Sequence, residues 1–417
     1  MRNHMLRLLL SMAVGVPITA AGQQQPDTKR DTAFELKLAE LRRDSTERKR
    51  PGSSFPRQTP GQVSGQSMNP DISAIGEMLA DLGSGVPLST EGERFQVREV
   101  ELGIQSVVDP FFRADFFIGL HPDGVEIEEA FLTALTLPGG VQAKIGRFHV
   151  PIGKVNLIHR PEQITIDYPW MIREFWGPEG LASSGVTLSS IFAPLGFFQE
   201  LLVYGVGNIG PAGEHDDEVE DFLAAPDAGR LRNQVAVGAQ LRNFWDLSQA
   251  TNLEIGFSAA TGRVRELVPD CEIVDPCPDI LPSEVFLDQS YYGPYLTLRW
   301  RPPERGLYRS LIWNNELLVS DGEQGTRVGG FSQAQWQMTR RFYLGARWDF
   351  VQRFEDVAGD DTEWFNALSG YLTFFPSEFS RLKLGLERTF GEEPFGDEFR
   401  PLLQMTFAIG PHRPHAF

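Results

Sequence analysis

The chain has 417 residues, of which 41% are hydrophobic, and its formal net charge is −18 at pH 7. This acidic balance argues against a nucleic-acid partner, whose phosphates require Lys and Arg. After the first 25 residues no run of about eighteen uncharged apolar residues occurs, which excludes a mature protein that crosses a membrane as helices.

The first 22 residues predict an export signal. Arg2 and Arg7 accompany an apolar run from Leu8 to about Ala21, and a polar stretch begins after Gly22. This order of charged, apolar and small residues is typical of a secretory signal peptide, which we expect to be cut near Gly22. The mature protein therefore leaves the cytoplasm.

Residues 23–68 predict a short periplasmic arm. Phe34, Leu38 and Leu41 form one helical stripe among mixed charges, which favours a short amphipathic helix. The stripe lasts barely two heptads, so coiled-coil pairing is a weak alternative. The following stretch is rich in Pro, Gly, Ser and Gln, which is typical of a flexible linker.

The stretch "NPDISAIGEMLADLG", residues 69–83, fits two structures. Ile72, Ile75, Leu79 and Leu82 recur at helical spacing, and Ala, Leu, Met and Glu favour a helix locally. The same residues also alternate polar and apolar at the period of a strand. The choice depends on the rest of the chain.

From residue 95 onward the apolar residues mostly recur at every second position. In residues 98–108, for example, Val100, Leu102 and Ile104 alternate with polar residues. Each run is about ten residues long, which matches a tilted membrane strand better than a strand of a soluble sandwich, the alternative. The same alternation is found in residues 111–120, 140–146, 332–338, 341–350, 381–387 and 399–410.

The connections alternate between short turns and longer or acidic segments, as in outer-membrane barrels. About fifteen strands lie between residues 96 and 410, whereas bacterial single-chain barrels have even numbers, so residues 71–82 are needed as the first strand. A periplasmic helix there, with another closing partner, is the alternative. The sequence thus predicts an all-β, transmembrane, antiparallel up-and-down β-barrel of about 16 strands over 69–417, preceded by the short helix and linker of 23–68.

The predicted inner face carries charges of both signs. In a water-filled lumen such charges tune selectivity, and mutual salt bridging that merely solvates the interior is the alternative. An excess of inward Arg and Lys, which phosphate selectivity would require, is not seen. The candidate pore-lining residues are Glu99, Glu101, Arg113, Asp115, Lys144, Arg347, Asp349, Lys383 and Glu387.

The long connection 150–182 is the best candidate for a loop that folds into the lumen, and an ordinary outward loop is the alternative. Trp170 and Trp176 are positioned to anchor it to the wall. The candidates for a constriction are Asn156, His159, Arg160, Asp167, Arg173 and Glu174.

Other candidate sites carry weaker signals. Cys271 and Cys277 in "CEIVDPC" predict a small-loop disulfide in an oxidising compartment, with two free thiols as the alternative. His412 and His415 are weak metal candidates, because two histidines without a nearby cysteine or carboxylate make too few ligands, and no cofactor is predicted. The stretch "EIEEAF" offers three carboxylates without a positioned nucleophile, and "GxSxG" is absent, so no enzyme is expected.

Several stretches resemble a known family. They are "FQVREVELGIQSVVDPFFRADFFIGL", "VEIEEAFLTALTLPGGVQAKIGRFHVPIGKVNLIH", "DYPWMIREFWGPEGLASSGVTL" and "MTFAIGPHRPHAF". They are similar to outer-membrane barrels labelled zinc-regulated, TonB-dependent outer-membrane receptors and, more distantly, to phosphate-selective porins. The resemblance covers roughly residues 69–192 and the last strand, and its most specific part combines "GRF", Gly153, Asn156 and His159 with "DYP". It implies a single outer-membrane barrel with a channel or uptake role.

Together these features predict a porin-like channel for passive diffusion of small hydrophilic solutes or ions. Acidic segments such as 214–221 would attract cations to the mouth, so a modest cation preference is expected. A ligand- or metal-uptake receptor and a structural or adhesin barrel are the alternatives. The expected partners are outer-membrane lipid, lipopolysaccharide, the barrel-assembly machinery and the solutes, and a homo-oligomer is compatible with the pattern.

Overall fold

The computed structural model describes residues 70–83, 92–122, 124–210, 235–268, 283–323, 325–354, 362–391 and 397–410. The predicted signal peptide, the periplasmic arm, the acidic segment 214–221, Cys271, Cys277, His412 and His415 lie outside these residues. Within the described residues, no helix is long and apolar enough to span a membrane.

Sixteen strands form one closed antiparallel barrel, in which each strand pairs with its neighbours in chain order. The predicted fold is therefore confirmed. The strands are β1 (Asp71–Asp81), β2 (Phe95–Val107), β3 (Phe112–His121), β4 (Gly124–Leu137), β5 (Val141–His149), β6 (Ala182–Phe192), β7 (Phe198–Val206), β8 (Ala236–Ser248), β9 (Thr251–Val268), β10 (Ser283–Trp300), β11 (Leu311–Gly322), β12 (Gly325–Gln337), β13 (Phe342–Phe354), β14 (Thr362–Ser377), β15 (Ser380–Phe390) and β16 (Phe399–Ile409).

The barrel closes between its first and last strands. Ala74 of β1 lies opposite Ile409 of β16, and the pairing continues to Asp81 opposite Leu402. The helical interpretation of residues 69–83 is therefore wrong. Backbone groups that face lipid must be paired within the protein, and this requirement overrides the local helix propensity.

The outer face is apolar and the inner face is polar. On β15, Leu384 is 46% exposed on the outside, whereas its neighbour Lys383 is 1% exposed on the inside. Alternation at period two produces both faces from one strand. The outer face is therefore suited to lipid, and the charged side chains face the lumen.

Among the register shifts that interrupt this alternation are two β-bulges, one between β1 and β2 and one between β3 and β4. Between β1 and β2 the register passes from Glu77 opposite Glu99 to Met78 opposite Val97, so Arg98 is an extra residue. Between β3 and β4, Glu128 is extra in the same way. A bulge lets two consecutive side chains point to one face, and the side chains of Arg98 and Glu128 are only 10% and 12% exposed.

Candidate functional site

The connection between β5 and β6 folds into the barrel. We call residues 150–181 the lumen segment. It contains two 3₁₀ turns, Val155–Leu157 and Arg160–Glu162, and one short helix, α1 (Trp170–Trp176). Most of its side chains are buried, including Ile152, Asn156 and Ile166. Its surroundings are the inner walls of the barrel.

Asn156 holds the two ends of the lumen segment together. Its Nδ2 donates to the carbonyl oxygens of Val150 and Leu181, both at 2.9 Å. Its Oδ1 accepts from the backbone N–H of Leu181 at 2.8 Å. This side chain thus replaces the strand ladder where β5 and β6 separate, which explains why an amide is suited to this position.

Two glycines allow the tight path around Asn156. Gly153 and Gly180 have φ values of +67° and +74°, which side chains rarely adopt. A Cβ on Gly180 would lie 2.7 Å from Asn156 Oδ1, and one on Gly153 would collide with the carboxylate of Glu316. The combination of Gly153 and Asn156 noted in the sequence is therefore explained by the backbone conformation, which leaves no room for a side chain at Gly153.

One end of the lumen segment is bound to β9 and β11. The carboxylate of Glu316 accepts from the backbone N–H groups of Lys154 at 2.8 Å and Val155 at 2.7 Å. Lys154 Nζ pairs with Glu254, and the Gly153 N–H donates to a serine hydroxyl of β9 at 3.0 Å. Burial lowers the pKa of Lys154 to about 8, although Glu254 opposes this effect.

The middle of the segment is bound to the wall formed by β13 and β15. Lys383 Nζ donates to the carbonyl oxygen of Gln163 at 3.0 Å and also to that of Thr165. Arg347 donates to Thr165 Oγ1 at 2.7 Å and to the Asp167 carbonyl at 2.8 Å. The segment therefore crosses the lumen from the β9–β11 wall to the β13–β15 wall.

α1 packs its aromatic side chains against the wall. The ring centroids of Trp170 and Phe365 are 4.5 Å apart, and those of Trp176 and Tyr291 are 5.1 Å apart. Asp349 accepts from the N–H of Trp170 at 3.1 Å, which satisfies one donor that a helix start leaves open. The two tryptophans thus lie in an apolar cluster inside the barrel.

A cluster of carboxylates surrounds His159. Nδ1 of His159 lies 3.0 Å from Glu101 and 2.9 Å from Glu128, and Nε2 lies 2.9 Å from Glu129. Burial alone lowers the pKa of His159, but these carboxylates raise it well above the usual value. Both ring nitrogens face carboxylate oxygens, which only accept hydrogen bonds. Only a protonated ring donates from both nitrogens, so His159 carries a positive charge in this cluster.

Two arginines continue the charged network next to His159. Arg160 pairs with Glu99 at 2.7 Å and also with Glu179. Arg98 pairs with Asp167 at 2.6 Å and with Glu77 at 3.3 Å. Burial raises the pKa of Asp167, but Arg98 and other arginines hold it below its usual range. Both bulge residues, Arg98 and Glu128, therefore bind the lumen segment.

A cavity of about 540 Å³ lies between the lumen segment and the barrel end where the turns are short. Such turns mark the periplasmic end of an outer-membrane barrel. Among its described lining residues, Glu162 is the only carboxylate. The cationic ones are Lys154, Arg299, Arg301 and Arg340.

The candidates predicted from the sequence lie within the lumen segment, pair with each other on the wall, or lie on the wall and bind the lumen segment. Of the constriction candidates not yet placed, Glu174 pairs with Arg353 at 2.9 Å, and Arg173 lies 4.0 Å from the centre of the Trp170 ring. Arg113 and Asp115 pair with each other at 2.6 Å. Bonds to the lumen segment are made by Glu99, Glu101, Arg347, Asp349 and Lys383.

Two further candidates contact residues of the wall. Lys144 Nζ lies 3.9 Å from the centre of the Phe131 ring. Glu387 lies 4.0 Å from Arg347 and accepts from Ser369 at 3.2 Å. Both side chains thus support neighbouring strands.

Sequence reasoning missed several residues of the site. Glu254 lies on β9 between Leu253 and Ile255, so period-two alternation was an available signal for it. Glu316 lies on β11, where the alternation is weak. Arg98 and Glu128 sit where a bulge interrupts the period-two pattern. The three carboxylates of "EIEEAF" were the available signal for Glu128 and Glu129, because two adjacent acids at one face require such a bulge.

Comparison of the sequence with known proteins gives one relative of undescribed function. No family model matches the chain. A protein of Aquifex aeolicus (strain VF5), described as uncharacterized, is 28% identical over 351 residues, which cover 78% of this chain and 71% of that protein.

Among solved structures, OmpT of Vibrio cholerae in its trimer form has a TM-score of 0.51 at 7% identity, covering 82% of this chain and 100% of that one. Its variant without loop L8 has a TM-score of 0.53 at 7% identity, with the same coverage. OmpF of Salmonella typhi in complex with daunomycin has a TM-score of 0.48 at 8% identity, covering 83% and 99%.

The closed sixteen-stranded barrel with its apolar outer face defines the class of the protein. The chain is an outer-membrane β-barrel with a porin-like fold. Its location is the outer membrane. These findings give no support to the TonB-dependent receptor label that the sequence resemblance carries.

The expectation that the chain is not an enzyme has to be withdrawn. The structures that share its fold include OmpT, which is described only as an outer-membrane protein. A shared fold hosts different functions, so this likeness leaves the enzymatic status of the chain unestablished.

Proposed function

We propose that the chain is a channel for passive diffusion of small hydrophilic solutes or ions, and that the lumen segment determines what passes. The observation that carries this proposal is the path of the segment across the barrel. Glu316 binds it on one wall, and Lys383 and Arg347 bind it on another. A rigid constriction of this kind selects solutes by size and charge.

The charges beside the lumen segment favour a modest preference for cations. Five carboxylates on β1, β2 and β4 form ion pairs with three cationic groups, so within this set of ion pairs the carboxylates are in excess. A negative lining raises the local concentration of cations. The carboxylates are Glu77, Glu99, Glu101, Glu128 and Glu129, and the cationic groups are Arg98, His159 and Arg160.

The cavity between the lumen segment and the short-turn end of the barrel supports the proposal that the solutes are small. Its volume of about 540 Å³ suits a molecule at the lower end of the usual ligand range. Its wall includes Asn314, Gln333 and Gln335, whose amides both donate and accept hydrogen bonds. The basic residues around it keep the expected cation preference modest.

Planar-bilayer recording tests the proposal. Refolded protein should conduct, and a salt gradient should give a reversal potential of cation-selective sign that shrinks at high ionic strength, where charges are screened. Glu77→Gln should reduce the selectivity, because it removes one negative charge from the cluster around Arg98. Glu126→Gln is the matched control, since that carboxylate pairs with Arg147 and not with the cluster.

Two results would contradict this function. Anion selectivity would exclude the proposed role of the carboxylates and would indicate that ions pass along the basic residues of the cavity. A silent bilayer, with correctly folded protein, would favour a structural or adhesive barrel.

A further inference from the structure

We propose that Glu99, His121 and Glu128 form a binding site for a divalent transition-metal ion. One ligand atom from each residue lies within 4.8 Å of the other two. The site shares Glu99 and Glu128 with the bonds that hold the lumen segment, through the other oxygen of each carboxylate, and it does not depend on whether the barrel conducts.

The histidine is prepared as a ligand. His121 Nδ1 lies 3.3 Å from the backbone carbonyl oxygen of Arg98. A carbonyl only accepts, so Nδ1 carries the proton and Nε2 presents its lone pair. Metal-binding histidines commonly have their second nitrogen bound to a carbonyl in this manner.

Each carboxylate uses one oxygen for the protein and keeps the other toward the site. Glu99 accepts from Arg160 with one oxygen, and Glu128 accepts from His159 with one oxygen. Within the described residues, Glu99 Oε1, Glu128 Oε1 and His121 Nε2 are buried and have no hydrogen-bond partner. Glu99 is only 1% exposed. Buried acceptors of this kind require a proton or a cation.

Gly119 leaves the room for these atoms. A Cβ at Gly119 would lie 2.5 Å from Glu128 Oε1 and 2.6 Å from His121 Nε2. The bulge at Glu128 turns its side chain to this position beside Glu129. Bulges often re-aim side chains next to functional sites.

The neighbouring triad of Glu101, Glu128 and His159 is a poorer candidate. Both ring nitrogens of His159 already lie within hydrogen-bond distance of carboxylates, at 2.9 to 3.0 Å. A ring that donates from both nitrogens offers no lone pair to a metal. The imidazolium instead supplies the positive charge there.

The ligand set indicates the class of ion. One imidazole and two carboxylates suit divalent ions such as Mn²⁺, Fe²⁺, Co²⁺ or Zn²⁺ better than ions that prefer thiolates. His121 ends β3, at the barrel end with the long connections. We therefore expect the ion to exchange from the outer mouth.

Electron paramagnetic resonance with Mn²⁺ on folded protein in detergent tests the site. We expect one bound Mn²⁺ with a nitrogen coupling from the imidazole. Glu99→Gln and His121→Ala should each weaken binding by about tenfold or more, and His121→Ala should remove the coupling. Glu126→Gln should bind as the wild type does, because its exposed carboxylate pairs with Arg147 instead.

Gly119→Ala provides a variant that retains every ligand. Its methyl group should separate Glu128 from His121 and weaken Mn²⁺ binding, while heat-modifiable gel migration confirms the folded barrel. The proposal fails if the wild type shows no nitrogen coupling. It also fails if Glu101→Gln abolishes binding while Glu99→Gln and His121→Ala leave it intact, since that result places the ion at the other triad.

Discussion

The carboxylate of Glu316 on β11 accepts a hydrogen bond from the backbone N–H of Val155 at 2.7 Å, across 161 residues of sequence. The same carboxylate oxygen also accepts a hydrogen bond from the backbone N–H of Lys154 at 2.8 Å. The wall of the barrel thus satisfies backbone groups of a segment that has no strand ladder of its own. The lumen segment depends on such contacts because its buried amides have no access to bulk water.

Glu316→Ala should loosen the lumen segment. The N–H groups of Lys154 and Val155 would each lose a buried acceptor, at a cost of about 1–3 kcal/mol per group. We expect a larger or noisier single-channel conductance and faster proteolysis within residues 150–181. Asp321→Asn, an exposed change on the same strand, is the control. Wild-type conductance and wild-type proteolysis in Glu316→Ala would show that Glu316 does not hold the lumen segment in place.

Asn156→Ala should destabilise the base of the lumen segment. Three buried hydrogen bonds to Val150 and Leu181 disappear, and stranded polar groups cost about 1–3 kcal/mol each. Chemical unfolding followed by tryptophan fluorescence measures this loss, since Trp170 and Trp176 lie in the segment. Asn252→Ala, at an exposed position near a short turn, should change little. Equal stability of the two variants would argue against the role of Asn156.

The ion selectivity should depend on pH through Glu162. Burial raises the pKa of Glu162 to about 7, and Glu101 acts in the same direction, whereas His159 and Arg381 oppose it. Below about pH 7 the carboxyl is neutral, and the cavity keeps its cationic residues without their one described counter-charge. Cation selectivity should therefore fall as the pH decreases from 8 to 6.

The matched variant for this titration is Glu162→Gln. Its cation selectivity should be lower than that of the wild type at pH 8 and should decrease less toward pH 6, because Lys154, whose pKa is about 8, is then the cavity group that still gains charge. A step of wild-type size in Glu162→Gln would assign the titration to another group.

Leu384→Arg should destabilise the barrel by about 2–4 kcal/mol if the residue lies near the membrane midplane. Leu384 faces outward on β15. Phe379→Arg, at the short turn between β14 and β15, should cost about 0–1 kcal/mol because the interface is wetter. Unfolding of both variants in lipid vesicles gives the comparison, and the opposite ranking would place the membrane elsewhere on the strands.

The sequence by itself determined the barrel. Period-two alternation indicates strands with one apolar face, and closure of a barrel whose strand pairs are all antiparallel requires an even number of strands. That parity assigned residues 71–82 to the first strand against their helix propensity, and the observed pairing of β1 with β16 agrees. The physical reason is general: lipid leaves no backbone group unpaired, so the pattern of every strand reflects the same constraint.

Only the tertiary structure decided what occupies the lumen. A long connection can fold outward or inward, and the contacts that hold it inward, such as Lys383 with Gln163, join residues 220 positions apart. The bulges at Arg98 and Glu128 likewise arise from register between strands, which alternation along one strand does not report. Local patterns record which face a side chain prefers, whereas the site depends on which distant groups meet inside the closed barrel.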